Sequence, residues 1–323
     1  MLEDRAQELR DRYGISWRIT GIASRRLGWI SDPAGLDSAE LLAVNSDSPS
    51  GFSRAASPAP HKSQDVREWL KAAQADVLFE ATSLNVQDGQ PAVDHIRAAL
   101  EHGAHAITAN KGPIVHAYRE LRDLAARQGR KFLFESTVMD GAPIFSLFKQ
   151  LPAVRLQGFH GILNSTTNVI LTHMEEGLTF DEALRKAQEL GIAETDAVYD
   201  IDGWDATVKT AALITVLMDV PIRLDQIARD GIRDLTPQAI RNAKRDGWRF
   251  KLVCRAKRVG NEVQASVQPE KVLITQPLAQ ITGTSSYVYF ETDVLPGLAI
   301  TEANPGLYTT AYGMLADFVR TIG

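Results

Sequence analysis

The chain has 323 residues, a hydrophobic content of 44% and a formal net charge of -5. This length suits two domains or one large domain, and the negative charge argues against nucleic acid as the main partner, because phosphate binding requires clustered Lys and Arg. The single cysteine, Cys254, excludes an internal disulfide and a cysteine-based zinc cluster, and it fits a reducing cytoplasm. No apolar run approaches the ~20 residues of a membrane span, so a membrane partner is not expected.

A charged helix and a strand are predicted at the N-terminus. The helix covers residues 1–14 and ends at Gly14, and the strand covers residues 17–23 (WRITGIA). A dinucleotide-binding domain normally opens with a strand and a G-x-G-x-x-G turn that holds the pyrophosphate. Neither feature precedes the predicted helix, so this departure puts the affinity for a dinucleotide in doubt.

Directly after that strand stand Ser24, Arg25 and Arg26, where an NAD-binding fold usually places an acid against the ribose 2′-hydroxyl. Two guanidinium groups and a hydroxyl suit a 2′-phosphate, because the arginine fork matches phosphate oxygens. This composition favours NADP over NAD. The alternative is that both arginines are simply solvated at the start of a loop.

Strands and helices then alternate along the chain. This alternation predicts an α/β fold with a doubly wound parallel sheet, in which ligands bind at the carboxyl ends of the strands. Thr82 and Ser83 lie at the end of one such strand, and Lys111 follows the next. We expect a dinucleotide-binding domain over 1–150, completed by 305–323. The predicted elements are strands over 76–83, 106–110 and 131–136, and helices over 91–102 and 114–128.

From residue 154 the pattern changes to closely spaced strands with a few amphipathic helices. Thr179 and Glu182 form a T-x-x-E capping box for one of these helices. Closely spaced strands favour a largely antiparallel sheet covered by helices, and such a sheet commonly supplies the face of a homodimer. We therefore expect an α+β domain over 151–304 that binds substrate and dimerises. The predicted elements are strands over 154–163, 250–257 and 262–267, and helices from 165, over 180–190, ending near 218 and over 309–322.

The most informative stretch is 193–218, in which a cluster of acids precedes an apolar helix with one predicted buried face. Asp205 and Lys209 are four residues apart on that helix, so they project from the same side. An isolated pair of this kind is usually a solvent-exposed ion pair. The four acids within 194–202 favour a site instead, because they repel one another unless a cation such as a substrate ammonium neutralises them. A lysine at the edge of such a site can act as an acid or a base.

Four motifs together resemble those of homoserine dehydrogenases. They are TANKGP (108–113), GILNSTTNVIL (161–171), AQELGIAETD (187–196) and DIDGWDATVK (200–209). The resemblance implies a Rossmann-like nucleotide-binding domain joined to a catalytic and dimerisation domain. It also implies a cytoplasmic enzyme that interconverts L-homoserine and L-aspartate 4-semialdehyde with NAD(P), in threonine, methionine and isoleucine biosynthesis.

The resemblance further implies roles for particular residues. Lys209 is the candidate that exchanges the hydroxyl proton, Lys111 lies beside nicotinamide and substrate, and Asp205 orients Lys209 or a bound water. The substrate ammonium is expected to bind Glu194 and Asp200.

Three further positions match binding elements of that family. The turn 164–166 grips the amino-acid end of the substrate through Ser165 and Thr166, with Ser165 standing where many members have glycine. Gly306 is expected to approach the nicotinamide. The loop over 135–145 is expected to hold a sodium ion through backbone carbonyls, the alternative being a plain hinge. The matching positions for sodium are Glu135, Val138, Asp140 and Ala142.

Two other functions stay open at this point. Because no glycine-rich turn is found, the chain is expected to start inside the family's first helix, and it could be a catalytically impaired or truncated relative that serves as a ligand-binding or interaction module. It could also be a dehydrogenase of a different small substrate built on the same domains.

Overall fold

The structure, a computed structural model, describes residues 1–25, 28–43, 61–63 and 65–322. Arg26, one of the residues predicted to contact the cofactor, lies outside this set. Within the described ranges, no helix combines the length and the apolar character that crossing a bilayer requires.

The N-terminal helix ends where the sequence predicts. Gly14 adopts a φ of 67°, and its amide donates to the carbonyl of Arg10, so glycine supplies the left-handed conformation that closes the helix. A small antiparallel sheet in the order β1-β2-β3 follows. The elements are α1 (Ala6–Tyr13), β1 (Gly21–Ser24), β2 (Gly28–Ser31), α2 (Ser38–Ala43) and β3 (His61–Ser63).

The strand predicted over 17–23 is confirmed only for residues 21–23. Its first four residues form no strand, and β1 joins the small antiparallel sheet rather than the parallel one. Trp17 is instead packed against an apolar cluster that includes Leu9 and Phe318. The apolar pattern at Trp17 therefore reflects contact with helices. A short apolar pattern alone does not show whether a residue is buried in a sheet or beneath helices.

A three-stranded parallel sheet forms the next layer, as predicted for a Rossmann-like domain. Its order is β4-β5-β6, so β5 lies in the centre. The connecting helices bury Ile96, Leu100, Ile114 and Leu121 completely against this sheet region. The elements are α3 (Val66–Ala73), β4 (Val77–Glu80), α4 (Ala92–His102), β5 (His105–Thr108), α5 (Gly112–Arg127), β6 (Phe132–Leu133) and α6 (Ile144–Lys149).

The second half contains a six-stranded sheet in the order β12-β11-β7-β9-β10-β8. All of its pairs are antiparallel except β8 with β10, which confirms the largely antiparallel prediction. The hairpin of β9 and β10 is longer than predicted. The strands are β7 (Leu156–Ile162), β8 (Ala228–Arg229), β9 (Trp248–Val259), β10 (Glu262–Leu273), β11 (Ser286–Thr292) and β12 (Leu298–Glu302). The helices are α7 (Ser165–Glu175), α8 (Phe180–Glu189), α9 (Val198–Ile201), α10 (Trp204–Leu217), α11 (Pro237–Arg245) and α12 (Leu307–Arg320).

Helix α10, which carries Asp205 and Lys209, is buried on more than the one predicted face. Thr207 and Thr210 are completely buried, and their hydroxyls donate to backbone carbonyls one turn earlier, which satisfies them without solvent. Cys254 of β9 is also completely buried and donates from its Sγ to the carbonyl of Ala206. The helix is therefore held between neighbouring elements, and its position is fixed by packing.

Helix α12 returns to the end of the parallel sheet. Its Arg320 donates to the carboxylate of Glu135 at 2.8 Å, and its Asp317 accepts from the Glu135 amide at 2.7 Å. Burial raises the pKa of Asp317 to about 6, although the Glu135 amide and Arg320 oppose the shift. These bonds fix the C-terminal helix beside the loop that follows β6.

We predict that the capping box of α8 acts as one reciprocal unit. Thr179 Oγ1 accepts from the Glu182 amide, and the Glu182 carboxylate accepts from the Thr179 amide at 2.8 Å. Thr179→Ala should lower the free energy of unfolding by about 1 kcal/mol, as loss of an N-cap typically does. Urea unfolding of Thr179→Ala, Glu182→Ala and the double variant measures this. A double variant whose loss equals the sum of the two single losses would contradict reciprocity.

Candidate active site

Two lysines and one aspartate meet between the parallel sheet and α10. The carboxylate of Asp205 lies 3.0 Å from Nζ of Lys209 and 3.3 Å from Nζ of Lys111. Lys111 follows β5 and stands at the start of α5, whereas the other two side chains project from α10. Lys209 also donates to the carbonyl of Leu163 at 2.7 Å. The structure thus brings together the three predicted catalytic residues, which come from two distant parts of the chain.

The charges in this group stabilise one another. Burial alone would raise the pKa of Asp205, but Lys209 and then Lys111 hold it well below its usual range. Burial would lower the pKa of Lys209, but Asp205 outweighs burial and raises it. Without a ligand, Lys209 is therefore an ammonium at neutral pH.

Asn164 joins this group to a second acid. Its Nδ2 donates to Asp200 at 2.7 Å and to Asp205 at 3.0 Å, while its Oδ1 accepts from the Thr167 amide and caps α7. Burial, and next the charge of Asp205, raise the pKa of Asp200. A cation placed beside Asp200 would relieve that unfavourable burial. Sequence reasoning missed the bridging role of Asn164, although its place directly before a helix was a signal for a cap.

The other predicted substrate-binding residues are positioned differently. Thr166 donates from its hydroxyl to the carbonyl of Ile192 at 3.3 Å, and Ser165 donates to the carbonyl of Thr284 at 2.8 Å. Glu194 is exposed, and no described hydrogen bond or ion pair joins its side chain to Asp200. Asp202 is turned away and pairs with Arg233 at 3.0 Å. The acid cluster of the sequence therefore divides, and only Asp200 and Asp205 lie together.

A buried polar network organises the carboxyl ends of β4 and β5. Glu80 is 2% exposed and accepts from the hydroxyl of Thr108 at 2.7 Å and from the amide of Thr82 at 2.8 Å. Asn110 donates to the carbonyl of Thr82 at 3.0 Å and accepts from the amide of Gly112. The network fixes the turn that carries Lys111. Sequence analysis did not select Glu80 or Asn110, because an acid within an apolar strand gives no indication of its partners.

The predicted cofactor residues lie on surfaces that a ligand can reach. Ser24 and Arg25 are exposed at the end of β1, and Thr82 and Ser83 are exposed after β4. Gly306 has an extended backbone, and a Cβ added there would meet no atom within 4 Å. Thr82 and Ser83 thus lie at the carboxyl end of a parallel strand, where such a sheet binds ligands, whereas Ser24 and Arg25 follow a strand of the small antiparallel sheet.

In the loop predicted to bind sodium, several of the oxygen atoms are already hydrogen-bonded. The Glu135 carboxylate is occupied, since it accepts from the amides of Phe145 and Ser146 at 2.7 and 3.0 Å. The Ala142 carbonyl already accepts from the Ile144 amide at 2.9 Å. Among the residues described, no group of three His, Cys, Asp or Glu side chains suits a metal ion. The remaining match to sodium depends on main-chain carbonyls, which hard cations accept.

Comparison with known families agrees with this geometry. The model of the homoserine dehydrogenase family matches residues 143–319, and the model of the homoserine dehydrogenase NAD-binding domain matches residues 3–135. The chain belongs to the homoserine dehydrogenase family. The resemblance seen in its motifs is thereby confirmed.

Individual homoserine dehydrogenases are similar over most of the chain. An NAD(+)-dependent homoserine dehydrogenase of Pseudomonas canavaninivorans is 34% identical, covering 99% of this chain and 91% of the relative. A homoserine dehydrogenase of Methanocaldococcus jannaschii is 37% identical, covering 78% and 74%. A hyperthermophilic archaeal homoserine dehydrogenase solved in complex with NADPH has a TM-score of 0.82 at 26% identity, covering 99% and 92%. None of these comparisons favours the alternative of an impaired module.

We predict that Asp205 sets the protonation of Lys209. Asp205→Asn removes the charge that offsets burial, so the pKa of Lys209 should fall below the ordinary value of about 10.4. Lysine-selective NMR titration of the Nζ-adjacent carbon measures it. Asp196→Asn, which changes an exposed acid of the same stretch, is the matched control and should leave the Lys209 titration unchanged. An unaltered titration in Asp205→Asn would refute this coupling.

Proposed function

We propose that this homoserine dehydrogenase interconverts L-homoserine and L-aspartate 4-semialdehyde with NADP, with Lys209 as the proton-exchanging group. The observation that carries the proposal is the Asp205 carboxylate shared between two lysines at 3.0 and 3.3 Å. A hydroxyl or aldehyde oxygen placed beside these ammonium groups would be polarised by a preorganised positive charge. When bound, the nicotinamide supplies the hydride acceptor or donor.

Proton transfer follows from the position of Lys209. In aldehyde reduction its ammonium donates a proton to the oxygen as negative charge develops there, and in homoserine oxidation its neutral amine takes the hydroxyl proton. Asp205 raises the pKa of Lys209 and holds Nζ in place. Lys111, on the other side of Asp205, would orient the substrate oxygen. Oxidation of homoserine should therefore be faster at alkaline pH, where more Lys209 is neutral.

The amino-acid end of the substrate is assigned to the acid beside this pair. Asp200 has a raised pKa because burial and Asp205 disfavour its charge, so a substrate ammonium would be attracted there. Thr166 and Ser165 line the start of α7 next to it and would contact the same end of the substrate. Glu194 is exposed in the free protein and would need to move to contribute.

For the cofactor we propose NADP, contacted by Ser24, Arg25, Arg26, Thr82, Ser83, Lys111 and Gly306. Arginine at the predicted 2′-phosphate position supports this preference, and NADPH is bound in the hyperthermophilic archaeal relative. The Pseudomonas canavaninivorans relative is NAD(+)-dependent, so the preference needs its own measurement. Sodium would bind the main-chain oxygens of Glu135, Val138, Asp140 and Ala142, and no proton or hydride step depends on it.

We further propose how these parts are arranged in the whole protein. A dinucleotide-binding domain would cover 1–150 with 305–323, and a substrate-binding and dimerisation domain would cover 151–304. The bonds from Arg320 and Asp317 of α12 to Glu135 support the first grouping. The six-stranded sheet is the proposed face of a homodimer. A buried, unpaired Cys254 fits a reducing, cytoplasmic location.

Lys209→Met tests the reaction. The variant keeps the length of the side chain but cannot exchange a proton, so kcat for homoserine oxidation should fall by at least ~100-fold. Formation of NADPH, followed by absorbance, measures it. Lys186→Met, an exposed lysine on α8, is the matched control. Near-normal turnover by Lys209→Met would reject Lys209 as the proton-exchanging group.

Replacing Arg25 and Arg26 by Ala tests the cofactor preference. Losing both guanidinium groups should reduce the ratio of kcat/KM for NADP to that for NAD by about tenfold, since a charge-assisted hydrogen bond contributes roughly 1.5–3 kcal/mol. Steady-state kinetics with both cofactors measures this ratio. Arg12→Ala, an exposed arginine of α1, serves as the control. A ratio that stays unchanged would mean that these arginines do not contact the 2′-phosphate.

A further inference from the structure

A second buried ammonium lies outside the candidate active site. Lys251 of β9 is 1% exposed, and its Nζ donates to Oδ1 of Asn168 at 2.9 Å and to the carbonyl of Ile281 at 2.6 Å. Burial lowers its pKa to about 8, although Glu175 partly offsets this effect. Burying an ammonium among neutral oxygens is unfavourable, so an apolar residue would serve a purely structural core better.

Lys251 is one of several side chains that hold the segment 279–285, which we call the strap. The strap connects the β9–β10 hairpin with β11. Asn168 donates from Nδ2 to the carbonyl of Gly283 at 2.9 Å, and Arg249 donates to the carbonyl of Ala279 at 3.0 Å. Together with the bond from Lys251 to Ile281, these contacts fix three main-chain carbonyls of a segment that has little regular structure.

The far end of the strap hydrogen-bonds Ser165 and the turn that leads to Gly306. The carbonyl of Thr284 accepts from Ser165, which is adjacent to Asn164 and the acids Asp200 and Asp205. The hydroxyl of Ser285 accepts from the amide of Asn304, at 3.2 Å, in the turn that leads to Gly306. A shift of the strap would therefore move Ser165 in the turn 164–166. It would also move the turn that contains Gly306, which is expected to approach the nicotinamide.

We propose that Lys251 is a positioning residue for homoserine binding, acting through Asn168 and the strap. This inference rests on the proposed function. Asn168 is essential to the connection, because the bond from Lys251 fixes its amide with Oδ1 toward the ammonium and Nδ2 toward Gly283. Lys251 thereby sets the strap carbonyl that receives Ser165, without touching the substrate.

Lys251→Met tests this role. Methionine fills a similar volume but leaves Asn168 Oδ1 and the Ile281 carbonyl without their buried donor, so the strap should loosen. We expect the Kd for L-homoserine, measured calorimetrically in the presence of NADPH, with which homoserine cannot react, to rise about tenfold. We also expect faster hydrogen exchange in the strap and at the start of α7, measured without ligand. Lys257→Met, an exposed lysine on the same strand, is the matched control and should change neither readout.

A second variant keeps the test decisive if Lys251→Met does not fold. Asn168→Ala removes the middle of the same connection and should raise the Kd for homoserine to a similar extent. The double variant should bind homoserine no more weakly than either single variant. Each of the three variants interrupts the same chain of hydrogen bonds from Lys251 through Asn168 to Gly283. A purely structural lysine would instead lower the melting temperature while the folded fraction bound homoserine with unchanged Kd, and this result would overturn the proposal.

Measurements on the wild-type protein distinguish failure of the proposed function from failure of the role proposed for Lys251. If wild-type protein oxidises and binds homoserine but the Kd of both single variants stays within twofold, only the role of Lys251 is overturned. If wild-type protein neither binds nor oxidises homoserine, the proposed function is overturned and this inference with it.

Discussion

The buried carboxylate of Asp205 is the constraint on which the site depends. It holds one lysine from its own helix and one from the end of β5, so an ion pair joins two distant parts of the chain. Burying such a group is costly, and removing any one partner leaves an uncompensated charge in the interior. Hydrogen bonds from Asn164 to Asp205 and from Lys209 to the Leu163 carbonyl stabilise the buried charges, and the close packing of α10 holds them in place.

The local parts of this arrangement were readable from the sequence. Four-residue spacing placed Asp205 and Lys209 on one side of a helix, and the capping box at Thr179 is formed as predicted. Alternating strands and helices gave the parallel sheet, and closely spaced strands gave the largely antiparallel one. These features depend on residues near one another in the chain, where spacing determines geometry.

Contacts between distant residues were not readable in the same way. Lys111 was selected through a family motif, because no spacing rule relates it to Asp205. Trp17 was predicted to lie in a strand but packs against Leu9 and Phe318 of two helices, and composition does not reveal what covers a residue. Glu80 and Lys251 are charged residues in apolar strands, and only the structure shows their hydrogen-bond partners. The acids of 194–202 also separate because of distant partners, since Asp202 pairs with Arg233 whereas Asp200 accepts from Asn164.

The enclosure of Cys254 has a practical consequence for following motion in this protein. The chain contains no other cysteine, and this thiol lies completely buried against the first turn of α10, with burial raising its pKa to about 11. A thiolate-seeking reagent can react there only when the helix separates from the sheet. The rate of labelling thus reports how often α10, which carries Asp205 and Lys209, separates from β9, without a cysteine having to be introduced into the protein.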